Sequence, residues 1–195
     1  NKFEICDLEG KMINKRVEIL PWESQTINKM GYKHFMLKEI HEQPDVIRNV
    51  LSNKLINQNT KIKLDEVRLN SDTIKNLNRI EIIACGTSLH AAMVGKHIIE
   101  SMTKISVDVE ASSEYIYREK TTNKNTLVIG VSQSGATADT ITAIRQAKET
   151  GAHILIITNR PDSTMAREAH SLVPVNAGIE VSLAATKSYM AQVLS

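Results

Sequence analysis

The sequence is poor in the features that mark several protein classes. Aromatic residues make up only 4% of the 195 residues. None stands beside the turns singled out below, so nothing there offers a face for a flavin or a base to stack on. Only two cysteines occur, Cys6 and Cys85, far apart in the chain. No secretory leader is recognisable, so both read as free thiols of a reducing compartment and not as a disulfide framework. Without a histidine cluster beside them they make no zinc site. No apolar run approaches the roughly 18–20 residues that a membrane span needs, and the expected location is the cytoplasm. Net charge is +2 and the basic residues are scattered; without a basic stripe, nucleic acid is not an expected partner. Neither a Walker Gly-Lys-Ser/Thr nor a G-x-G-x-x-G fingerprint is found. No cofactor is expected.

What is present is an ordinary globular composition, 42% apolar and 24% charged, sufficient for a sizeable core. Three zones follow. Residues 1–21 alternate like a hairpin, with Leu8-Glu9-Gly10-Lys11 as its turn and Val17 and Ile19 on its second arm. A lone hairpin is marginal in water, so this one is expected to pack on something else, with Cys6 buried as a small hydrophobe. Residues 22–70 read as a helical linker. Phe35, Leu37 and Ile40 recur at helical spacing, and Val46, Ile47, Val50, Leu51 and Leu55 continue an apolar stripe. Pro44 suits the first position of a new helix, which predicts two helices joined at Gln43–Pro44. Trp22 and Phe35 are expected to pack within the linker, and 57–63 reads as a loop.

Residues 71–195 alternate strand and helix. Buried strands are predicted at 80–84, 105–109, 127–131, 154–158 and 172–175. Helices are predicted at 88–102, 112–117, 136–150 and 163–170, with a further one from about Ala184. Continuous β-branched runs separated by helices argue a parallel sheet covered on both faces. The fold class is therefore α/β: a flavodoxin-like, doubly wound five-stranded parallel sheet with a helical linker and a residual β-hairpin before it.

Such sheets bind ligands beyond the carboxyl ends of their strands. After the first strand comes Cys85-Gly86-Thr87-Ser88, where a helix opens with free N–H groups suited to an anion. Ser88 alone would also serve as an ordinary N-cap. After the third strand comes Ser132-Gln133-Ser134-Gly135-Ala136-Thr137. A hydroxyl-rich cradle without lysine suits a phosphomonoester held by neutral donors. Glu180 reads either as a pocket carboxylate acting as a base or as a cap or solvated charge. Lys187 reads as a surface cation, His90 and His97 as ordinary helix residues, and Glu114, near the second strand's end, as a neighbour of the ligand.

At these residues the chain resembles the sugar isomerase (SIS) domains. The run 132–140 is similar to their signature, and 83–88 to their other phosphate-side turn. The stretches 176–189 and 34–44 resemble the family of glucosamine-6-phosphate synthases in particular, and 7–11 resembles the last hairpin of their glutaminase domain. The resemblance implies a sugar phosphate held by Cys85, Gly86, Thr87, Ser88, Ser132, Gln133, Ser134 and Thr137, with Leu183 and Ala185 lining the sugar site. It implies transfer of glutamine nitrogen to fructose 6-phosphate and isomerisation to glucosamine 6-phosphate, in a homodimer. Residues 1–21 would then end a mostly absent glutaminase domain, 22–70 would be the linker, and 71–195 the first of two SIS domains. The catalytic groups would lie in the absent second SIS domain and tail, so no catalytic residue is assigned here and this stretch alone is expected to be inactive. Ala136 and Ala185 depart from the family's usual glutamate and serine. Two other readings stay open: a non-catalytic phosphosugar sensor, and a mononucleotide-binding domain.

Overall fold

A computed structural model describes residues 4–14, 28–56 and 61–195. Val17, Ile19 and Trp22, and with them the second arm of the expected hairpin and residues 57–60 of the expected loop, lie outside the described residues. Five strands form one parallel sheet: β3 (Arg79–Ala84), β4 (Ser106–Ala111), β5 (Thr126–Ser132), β6 (His153–Thr158) and β7 (Ser171–Pro174), in the order β4-β3-β5-β6-β7. Each falls on a run read as a strand from its β-branched residues. Helices α3 (Gly86–Thr103), α4 (Ser112–Tyr115), α5 (Ala138–Glu149) and α6 (Thr164–Glu168) connect them, and α7 (Lys187–Val193) follows β7.

Alternate residues of the strands feed two apolar layers. Ile80, Ile82 and Ala84 join Leu127, Ile129 and Val131 on one face, where Leu89, Ala92 and Ile99 of α3 cover them. Ile83, Val128, Ile154 and Ile156 build the other face with Ala143, Ile144 and Ala147 of α5 and Met165 of α6. A third cluster joins Val46 and Val50 to Val175, Ala177 and Ala191. It docks the linker helix against the chain around α7.

That linker helix, α1 (Phe35–Lys54), is one continuous element with Pro44 inside it, not the two helices expected. Pro44 removes one backbone hydrogen bond, to the carbonyl of Ile40. Pro44 and Ile40 are both exposed, so solvent can take up that carbonyl, while Val46 and Val50 hold the buried face. The stripe also differs from expectation. Leu37 and Ile40 are exposed, at 41% and 43%, whereas Lys38 and Glu39 are buried. Short strands β1 (Leu55–Ile56) and β2 (Lys61–Ile62) pair antiparallel, β1 beginning at Leu55, where the helical stripe was expected to continue, and β2 lying in the expected loop. A six-residue helix, α2 (Ser71–Asn76), precedes the sheet, capped by the Asn70 side chain accepting from Thr73 N at 2.7 Å. Cys6 is exposed, against the expected burial. Among the described residues it meets Met12, through an isolated backbone bridge and a contact of Cys6 Sγ with Met12 Sδ at 3.6 Å, and so short a turn has little apolar surface to fold over a side chain. Among the described residues no helix is long and apolar enough to cross a membrane.

A histidine pair marks the β6–β7 edge. His153 Nε2 lies 2.8 Å from Ser171 Oγ, and His170 Nδ1 accepts from Ile154 N at 2.9 Å. The rings are 5.2 Å apart. Burial, then the neighbouring His170, lowers His153 below its ordinary 6.5; burial, then Lys148, lowers His170 likewise. A histidine lowered in the fold takes up protons more readily unfolded. Its contribution is therefore whole above about pH 6.5 and is lost as pH falls below that value. The urea midpoint is expected to fall between about pH 7 and about pH 5, and to fall less in a His153→Gln/His170→Gln variant.

Candidate functional site

The strand order reverses at β3: β4 lies on one side and β5 on the other. Their register aligns Ala84 with Val131, so the turns after β3 and β5 emerge side by side, about 5 Å apart. A cleft of about 370 Å³ opens there, within the range of small-molecule sites.

The first turn is the start of α3. Cys85 is its N-cap in an extended conformation, with no side-chain cap. By helix geometry the amides of Gly86, Thr87 and Ser88 have no partner within the helix, and eighteen residues of aligned dipoles stand behind them. Ser88 is therefore not the N-cap but lies inside the first turn. It is buried, and its Oγ accepts from Gln192 Nε2 at 3.0 Å. With an acceptor position filled, its own O–H is left to donate.

The second turn is locked from within. Ser132 Oγ accepts from Gly135 N at 3.0 Å and lies 3.3 Å from Thr137 Oγ1. Ser134 Oγ accepts from Ala136 N at 3.2 Å. The carbonyl of Gln133 accepts from Asn159 N, and that of Gly135 from Met165 N. Gly135 has φ +61°. A Cβ there would stand 2.1 Å from Ser163 Oγ and 2.5 Å from Ser163 Cβ, so both the backbone and the space demand glycine. Behind the cleft, Cys85 Sγ touches Thr140 Oγ1 at 3.8 Å.

The third side is the irregular segment between β7 and α7, which contributes Glu180 through Ala185. Its backbone is held from three directions. Asn159 accepts from Ala177 N and donates to the Gly178 carbonyl, both at 2.7 Å. Glu39, at the buried side of α1, accepts from Val181 N at 2.6 Å, from Ser182 N at 3.3 Å and from the Ser182 hydroxyl. Glu180 turns the other way and accepts from Thr186 N at 2.8 Å, from Lys187 N at 3.0 Å and from the Ser188 hydroxyl. It thus lines the cleft and accepts from the start of α7 at once, as the capping reading expected. Lys187 is not a surface cation. It is 4% exposed and donates to Glu42 Oε2 at 2.7 Å, while Lys38 stands 3.2 Å from the other oxygen. Burial alone would raise the Glu42 carboxyl, but the hydrogen bonds and charges of Lys187 and Lys38 outweigh it and hold it below 4.5.

All ten residues singled out from the sequence meet at this cleft: Cys85, Gly86, Thr87, Ser88, Ser132, Gln133, Ser134, Thr137, Leu183 and Ala185. Glu114, His90 and His97 do not line it and are exposed. Of the two departures from the resembled pattern, Ala185 lines the cleft and Ala136 does not. Sequence reasoning passed over Ser182, Glu39 and Gln192. None of the three carried a local signal, since each is placed by contacts across the chain. Among the described residues no lysine or arginine lines the cleft. The groups it offers to an anion are neutral hydroxyls, bare amides and a helix terminus. Among the described residues no cluster of three metal-ligating side chains exists.

Residues 73–195 match the SIS domain family. The chain is 44% identical over 194 residues to the isomerizing glutamine–fructose-6-phosphate aminotransferase of Methanosarcina mazei, covering 100% of this chain and 31% of that protein. It is 43% identical over 192 residues to the enzyme of the same name from Clostridium acetobutylicum, covering 98% of this chain and again 31% of the relative. The chain thus spans about a third of the length of these curated relatives. The C-terminal domain of glucosamine-fructose-6-phosphate aminotransferase from Francisella tularensis superposes with a TM-score of 0.79 at 36% identity, over 86% of this chain and 47% of that one.

The locked second turn makes a stability prediction. Gly151 also has positive φ, but a Cβ there meets nothing closer than 3.7 Å. Gly151→Ala is expected to cost about 1 kcal/mol from backbone strain alone. Gly135→Ala should cost about 1–3 kcal/mol more, because Ser163 must move. Chemical denaturation of the two variants measures the difference, and equal losses would mean that the turn does not need its close approach to Ser163.

Proposed function

The chain belongs to the SIS domain family, and on that premise we propose that it is the phosphosugar-binding part of an isomerizing glutamine–fructose-6-phosphate aminotransferase. Such an enzyme passes nitrogen from glutamine to fructose 6-phosphate and isomerises the product to glucosamine 6-phosphate. The observation that carries the reading is the convergence of two hydroxyl-bearing turns at the switch point of the sheet.

The phosphate occupies the space between the turns. The amides of Gly86, Thr87 and Ser88 face it with the positive end of α3 behind them. Hydroxyls of Thr87, Ser88, Ser132, Ser134 and Thr137 donate to its oxygens, and Gln133 closes the cradle. A phosphate ester only accepts in these contacts. The hydroxyls of Ser88, Ser132 and Ser134 each accept from a protein N–H group, and the O–H of each is its donor toward an anion. The carbon chain of the sugar lies along Leu183 and Ala185. Ala185 supplies no hydroxyl there, which removes one contact worth about 0.5–1.5 kcal/mol.

The cleft binds and orients, but it holds no unengaged base for moving a proton between sugar carbons. Glu180 is committed to α7. The isomerisation chemistry is therefore assigned to groups outside this chain, in a second SIS domain. Ammonia would come from a glutaminase domain of the same protein, and a second copy of the chain would complete a dimer in the cytoplasm.

A titration with fructose 6-phosphate tests the assignment. Thr87→Val and Thr137→Val together keep the shape of the cradle and delete two hydroxyls. Each hydrogen bond to a charged group contributes about 1.5–3 kcal/mol, so affinity should fall at least about tenfold. Equal binding by the variant would move the phosphate elsewhere.

A further inference from the structure

We infer that Glu39 of α1 is a positioning residue for the sugar-facing wall of the cleft, and that it sets selection for the sugar without contributing to the phosphate subsite. The inference rests on the phosphosugar reading above and deepens it.

Glu39 is 2% exposed. A buried carboxylate is tolerated only when its oxygens are well satisfied. Those of Glu39 are satisfied by the wall itself: two backbone amides, of Val181 and Ser182, and the Ser182 hydroxyl. Val181 and Ser182 line the cleft on their other side and lead directly into Leu183, Ala184 and Ala185. Wall residues 179 to 186 belong to no strand or helix, so no sheet or helix ladder fixes their backbone. Their course is set by what their amides bind.

The anchor itself is rigid. Val46 and Val50 hold α1 against Val175, Ala177 and Ala191. One turn beyond Glu39, Glu42 takes the ammonium of Lys187 at the start of α7. One helix face thus grips the wall at 181–182 and its exit at 187. The phosphate cradle is built differently. Its hydrogen bonds run among β5, the turn after it, Thr158 and Asn159 at the end of β6, Ser88 of α3 and Gln192 of α7, and none of these reaches α1.

This separation gives a test that a loss of folding would not imitate. In the full-length protein, binding of inorganic phosphate and of fructose 6-phosphate is measured by calorimetry for wild type, Glu39→Ala and Glu39→Gln. For Glu39→Ala the expected result is phosphate affinity within about twofold of wild type and fructose 6-phosphate affinity reduced at least about tenfold. Glu39→Gln keeps one accepting oxygen and should fall between the two. Parallel losses of both ligands would reduce Glu39 to a support of the whole fold and overturn the inference. Unchanged binding of both would overturn it equally. A wild-type protein that binds neither ligand would overturn the phosphosugar reading, and the inference with it.

Discussion

A segment without regular secondary structure can wall a binding site only if its backbone amides find partners that do not move. Here those partners are side chains, two of them distant in sequence and one on the segment itself. Asn159 holds 177 and 178, Glu39 holds 181 and 182, and Glu180 folds back on 186 to 188. Each accepts from backbone amides, Asn159 also donating to the Gly178 carbonyl, and an acceptor satisfied by amides is what permits a carboxylate to be buried. The same bonds that make Glu39 affordable inside the protein give the wall its course. Without them the cleft would have two sides and an unconstrained third.

The other two sides follow from sheet topology. A parallel sheet that reverses its order leaves neighbouring strand ends free of crossing connections. β3 and β5 are such neighbours, and each feeds a helix whose first amides point outward. Under the phosphosugar reading the cleft attracts phosphate without a lining cation, through the long helix α3 and hydroxyls that each accept one protein N–H and keep an O–H to donate. Glycine is needed where the second turn passes Ser163, since any side chain at 135 would meet that residue.

Much of this was legible in the sequence where it depended on local pattern. The five strands announce themselves as β-branched runs, because both faces of a parallel sheet are covered. The two turns stand out as hydroxyl and glycine clusters at strand ends, and all ten residues drawn from them and from the 183–185 stretch line one cleft. What stayed hidden depends on contacts across the chain. Lys187 looks like a surface cation until Glu42, far back on α1, is placed beside it. Glu39 and Lys38 are buried while Leu37 and Ile40 are not, the reverse of what hydrophobicity predicts for this helix. Pro44 signals a break, yet tertiary packing of Val46 and Val50 carries the helix through it. α2 is too polar to show a periodic face, although Asn70 before it is a recognisable cap. Cys6 illustrates the opposite error, an apolar residue type with nothing described to cover it.

The account stands on the two turns acting as one anion site. Amide resonances of the isotopically labelled protein, followed by NMR during addition of fructose 6-phosphate, test this directly. The amides of Gly86, Thr87 and Ser88 and those of Ser134 and Gly135 should shift together, with one shared saturation midpoint. Shifts confined to one turn, or saturating at different concentrations in the two, would contradict a common site.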